Sequence, residues 1–94
     1  MRVVYRVHTA PNFTAECTTA DSTNRSLTFE WKQVQSAESY HLAGHLMSVS
    51  SSEPSITVND LTPGSRYTFT VWAEGDAQLV SNNIICADST SKYL

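Results

Sequence analysis

Reactive side chains are few in this chain, and their spacing argues against catalysis. Histidines stand at positions 8, 41 and 45. His41 and His45, four apart, would share a helical face, but Gly44 lies between them and no third ligand follows, so a zinc centre is not expected. The serines lack the Gly-x-Ser-x-Gly elbow of a nucleophile, and no His/Asp partner pattern accompanies them. The acidic residues form neither a calcium loop nor a paired-carboxylate site. With only three glycines there is no phosphate-cradling loop. The sequence predicts a protein that is not an enzyme and uses no cofactor or metal.

The cysteines, Cys17 and Cys86, leave two readings open. An even count in a small domain suits one bridge, and it equally suits two reduced thiols in a cytosolic protein. Two N-x-[ST] triplets, Asn12-Phe13-Thr14 and Asn24-Arg25-Ser26, make Asn12 and Asn24 candidate glycosylation sites. Together they favour an oxidising, extracellular setting. No secretory signal opens the chain, because Arg2, Arg6 and His8 interrupt its first residues. The expectation is therefore a segment of a larger secreted or membrane-anchored protein.

Ninety-four residues suit a single core. An apolar share of 40% suffices for that core, and a charged share of 16% is too low for a disordered tail. Net charge is −3 with six scattered basic residues, which excludes nucleic acid as an expected partner. No apolar run is long enough to insert in a membrane.

The hydrophobic pattern has period two. Phe13, Ala15 and Cys17 alternate with polar neighbours, as do Leu27, Phe29 and Trp31, Tyr40 and Leu42, Ile56 and Val58, and Tyr67, Phe69, Val71 and Ala73. A short apolar run, Ile84 to Ala87, follows. Such runs are strands with one buried face. Turn-formers separate them at 21–24, 50–54, 63–64, 75–76 and 81–83. Residues 32–40 lack helical length and read as a loop tucking Val34 and Ala37 under the core. Short strands at these turn spacings imply a two-sheet sandwich. Residues 1–10 form an N-terminal extension or the tail of an upstream domain, 11–90 the domain, and 91–94 a C-terminal tail.

The densest motif is Leu61-Thr62-Pro63-Gly64-Ser65-Arg66-Tyr67. Pro63-Gly64 turns the chain from one sheet to the other, Leu61 plugs the core, and Tyr67 can bond its hydroxyl to backbone just upstream. With Pro11-x-Phe13, Leu27-x-Phe29-x-Trp31, Val34, Ala37, Tyr40-x-Leu42, Ile56-x-Val58 and Phe69-x-Val71-x-Ala73, the chain resembles a fibronectin type III domain from about Pro11 to Thr90. The resemblance implies an all-β, seven-stranded antiparallel immunoglobulin-like sandwich with sheets ABE and C′CFG. It makes Trp31, Tyr40, Leu61 and Tyr67 core residues. It also places Cys17 at the end of strand A and Cys86 in strand G, parallel neighbours that a bridge could join.

The resemblance further implies a spacer and an adhesion or protein-recognition surface in a tandem array of a cell-surface or matrix protein. The isolated domain would be a monomer, and its partners would be neighbouring domains and a further protein. An intracellular structural repeat and an accessory domain of a secreted enzyme are the alternatives. The F–G loop, 75–83, has Glu74 before Gly75-Asp76, so it carries no Arg-Gly-Asp tripeptide. Candidate contact residues are Trp72, outward between Val71 and Ala73 with His41 and Ala43 beside it, and Leu79 and Val80 of that loop.

Overall fold

A computed structural model describes residues 9–92. Residues 1–8 of the expected N-terminal extension lie outside the described residues; Thr9 and Ala10 are exposed and belong to no strand. Seven strands follow: β1 (Thr18–Ser22), β2 (Leu27–Glu30), β3 (Ala37–Gly44), β4 (Met47–Ser51), β5 (Ser55–Val58), β6 (Arg66–Gly75) and β7 (Ile84–Ser89). One sheet has the order β1-β2-β5 and the other β4-β3-β6-β7, every pair antiparallel. This is the expected pair of sheets, ABE against C′CFG. Among the described residues the helical content is a 3-10 turn at Asp76–Gln78.

The period-two pattern determines which side chains the sheets enclose. Leu27 and Phe29 of β2, Ile56 and Val58 of β5, Tyr40 and Leu42 of β3, and Tyr67, Phe69, Val71 and Ala73 of β6 are all buried. Trp31 continues the β2 face and is 7% exposed, packed edge-on to Tyr40 with ring centroids 5.3 Å apart and tilted against Phe13 at 5.8 Å. Edge-to-face pairs of this kind add to the stabilisation from buried area. Phe29 and Phe69 meet the same way across the sheets, at 5.9 Å. The Tyr40 hydroxyl accepts the Val34 amide at 2.8 Å, which holds the 31–36 loop beneath the core with Val34 buried.

The corner between β5 and β6 has the expected geometry. Leu61 is buried, and the Tyr67 hydroxyl accepts the Thr62 amide at 2.8 Å. Hydrogen bonding to the Thr62 side chain, and then to its amide, lowers the Tyr67 pKa from its ordinary value. Thr90 completes the corner: its hydroxyl accepts from the Ser65 amide at 3.1 Å and donates to the Thr62 carbonyl at 2.5 Å.

Several boundaries differ from the sequence reading, among them Asp21, Ser22 and Gly75, read as turn residues but lying in β1 and β6. The first ladder strand is Thr18–Ser22, not the 12–17 run, so Cys17 precedes a strand rather than ending one. Pro11 and Phe13 are nonetheless buried, and side chains and the disulfide hold this stretch in place of a ladder. Ser50 and Ser51, read as turn, end β4. Strand β3 starts at Ala37, with an irregularity between Ala37 and Ser39, so the loop before it is shorter than expected.

Candidate functional site

The sandwich has two lateral edges, and they differ. At one, β1 and β7 run side by side in the same direction. Cys17 and Cys86 are disulfide-bonded with Cα atoms 5.5 Å apart, closing a sequence separation of 69. Two residues beyond each cysteine, the Thr19 side chain hydrogen-bonds the Asp88 carboxylate. Ser22 Oγ then donates to the Ser89 carbonyl at 3.0 Å, and the Ser91 amide to the Thr23 carbonyl at 2.9 Å. Asp88 also accepts the Ser89 amide at 2.7 Å. The bond from Thr19, the Ser89 amide and the charge of Arg66 together hold its carboxyl below the ordinary aspartate pKa. At the other edge, among the described residues, β4 pairs with β3 alone.

The pole bearing the F–G connection is built by two adjacent residues. Ser81 exchanges backbone and side-chain bonds with Ala73: its amide donates to the Ala73 carbonyl, and its hydroxyl accepts the Ala73 amide, both at 2.8 Å. Asn82 bonds both backbone groups of Phe13. Gly75 is needed by close approach, since a Cβ there would lie 2.5 Å from the Ser36 carbonyl oxygen. In this connection Leu79 is half-buried. Val80 is 51% exposed and bridges to Glu74.

The outward face of the four-stranded sheet gathers Trp72 and His41. They are direct cross-strand partners, with rings stacked 5.6 Å apart at 23°. Hydroxyls and a carboxylate orient the imidazole. Nδ1 lies 2.9 Å from Ser50 Oγ; Nε2 lies 3.3 Å from Ser39 Oγ and 3.5 Å from Glu74 Oε1. Ala43 is paired with Thr70, one row away, and Thr70 is paired in turn with Ile85 of β7. Ile85 is 59% exposed and went unnoticed in the sequence, where Ile84-Ile85-Cys86 read as one apolar run. Its outward direction follows from period two once Cys86 is known to face inward.

Other concavities and clusters do not converge on chemistry. A surface hollow of about 720 Å³ lies between Asn12, Thr14 and the 32–36 loop, rimmed mainly by polar side chains. Among the described residues no group of three His, Cys, Asp or Glu side chains could hold a metal ion. His45 packs its ring edge-on to Tyr67, at 4.9 Å, away from His41's network. Asn12 is exposed and Asn24 half-buried in the β1–β2 turn.

Two antiparallel sheets with this strand order define an immunoglobulin-like β-sandwich module. Comparison with solved structures narrows the class. A chitinase, ChiA74 from Bacillus thuringiensis, aligns over 96% of this chain with TM-score 0.84 and 19% identity. The fn3 domain of human collagen alpha-1(XX) aligns over 89% of this chain and 86% of its own, with TM-score 0.71 and 19% identity. The FN1-FN3 domains of chicken CNTN1 align over 88% of this chain and 33% of theirs, with TM-score 0.70 and 22% identity. No family model matches the chain, and no curated protein matches it in sequence. The chain has the fibronectin type III fold. It spans only 15% of the length of the chitinase it resembles.

Proposed function

We propose that this chain is a non-catalytic, extracellular fibronectin type III module that acts as spacer and recognition surface within a longer protein. The disulfide between Cys17 and Cys86 carries the reading. Structural disulfides persist in oxidising compartments and are rare in the reducing cytosol. The two exposed or half-exposed sequons agree with that compartment, and adhesion or protein recognition would use the Trp72 and His41 face. Alkylation of thiols in the native protein at its source tests the compartment. Both cysteines should be blocked; two alkylatable thiols would overturn the extracellular reading.

A second reading is favoured by one observation, the TM-score of 0.84 with part of a chitinase chain. In it the module is an accessory domain of a secreted polysaccharide-degrading enzyme, and catalysis belongs to another part of that protein. The residues flanking this segment in its parent protein decide between the two. A catalytic domain in the same chain supports the enzyme; a second Leu-x-Pro-Gly-x-x-Tyr pattern supports the array.

A further inference from the structure

The outward face of the β4-β3-β6-β7 sheet has a composition that points to a ligand class. Its paired outward positions carry Ser48 and Ser50 on β4, Ser39, His41 and Ala43 on β3, and Thr68, Thr70 and Trp72 on β6, with Ile85 and Ala87 on β7. Among the described residues the charged side chains on this face are Glu74 and Arg66, near opposite ends of β6. Cations are needed to hold phosphate or anionic polymers, so such ligands do not suit the centre of this face. The face instead alternates apolar groups with hydroxyls.

We propose that this face binds a neutral polysaccharide chain, with Trp72 and His41 as its centre. The inference rests on the reading of the chain as an extracellular recognition module and names the ligand of its surface. A sugar ring offers an apolar C–H face to aromatic and aliphatic groups, and a rim of hydroxyls that both donate and accept hydrogen bonds. Trp72 and Ile85 supply the apolar contacts, the latter 59% exposed. The Ser39 and Ser50 hydroxyls and the Glu74 carboxylate keep hydrogen-bonding capacity beyond their contacts with His41. Those contacts lock the imidazole against the indole at 23°, so the aromatic pair is already ordered before a ligand arrives. Four strands at about 4.8 Å spacing make a platform about 15 Å across. A short run of sugar units fits that width.

Depletion of the protein from solution by insoluble chitin and by cellulose tests the proposal, with polygalacturonate as the anionic control. The wild type should be retained on at least one neutral polymer and not on the anionic one. Trp72→Ala should weaken retention by at least about tenfold, the loss expected of a central aromatic contact. Ile85→Ser, at an exposed position, covers the case in which Trp72→Ala unfolds the domain and should weaken retention in the same direction. Soluble chitin or cellulose oligomers should also change the fluorescence of Trp72, while buried Trp31 is screened from them. Failure to bind either neutral polymer overturns the proposal, as does retention that survives both substitutions. Self-association abolished by Trp72→Ala, without polysaccharide retention, would make the face a contact between copies and also overturn it. Each of these failures with Cys17 and Cys86 still bonded leaves the extracellular-module reading standing.

Discussion

The carboxamide of Asn82 serves Phe13 as a strand would. Its Oδ1 accepts the Phe13 amide and its Nδ2 donates to the Phe13 carbonyl, each at 2.9 Å. The two residues are 69 apart in sequence, and their exchange anchors the buried Phe13 ring ahead of the first ladder strand. Only one orientation of the amide makes both bonds.

Substitution of Asn82 tests this anchor. Asn82→Ala should destabilise by about 1–3 kcal/mol, since two backbone groups lose their partners. Asn82→Asp should be at least as damaging, because it sets a carboxylate oxygen against the Phe13 carbonyl. Chemical denaturation of the three proteins checks the order. Equal midpoints for wild type and Asn82→Ala would contradict the anchoring role.

Tyr67→Phe removes the hydroxyl that accepts the Thr62 amide and keeps the ring in the core. The thermal midpoint should fall by a few degrees, the effect of one lost hydrogen bond in a domain of this size. Differential scanning calorimetry measures it, and unchanged melting would contradict the corner assignment.

Leu46 is fully exposed at the tip of the β3–β4 hairpin. His45 and Leu46 both have positive φ, 49° and 60°, where Gly44 pairs directly with Met47. Two-residue turns of this hand favour Asn-Gly, and a side chain in the left-handed region costs about 1–2 kcal/mol. Leu46→Gly should therefore raise stability by about 1 kcal/mol. A lower denaturation midpoint would show that the leucine contributes contacts within the domain.

Asp88 should make the domain acid-sensitive. Its carboxyl is held below the ordinary value in the folded state, so the carboxylate contributes stability that is fully present above about pH 4. That contribution is lost as pH falls through the lower, folded-state pKa. Asp88→Asn should lower stability at neutral pH and flatten its decline in acid. Parallel slopes for wild type and variant between pH 5 and about pH 2 would contradict the assignment.

Much of the fold was legible because one face of each strand is apolar. Leu27-x-Phe29-x-Trp31 and Tyr67-x-Phe69-x-Val71-x-Ala73 define buried faces without ambiguity. Strand β1 was not legible, since Thr18 to Ser22 is a polar, largely exposed edge whose pairing with β2 has no hydrophobic signature. Strand β4 was hidden for a related reason. Met47 and Val49 are its only apolar residues, and Ser50 and Ser51 have turn composition. The Trp72 and His41 pairing followed from outward parity on neighbouring strands. The Asn82 anchor and the Thr19–Asp88 bond did not, because local patterns do not encode polar contacts between residues some seventy positions apart.

The β1–β7 seam, fastened by Cys17–Cys86 and by Thr19 to Asp88, is the feature on which both stability and compartment turn. Denaturant unfolding of one preparation, with and without prior reduction, tests it most directly. Closing a loop of this length stabilises by about 4 kcal/mol through the unfolded chain, so reduction should move the midpoint sharply downward. Coincident oxidised and reduced curves would show that no such crosslink holds the sandwich closed.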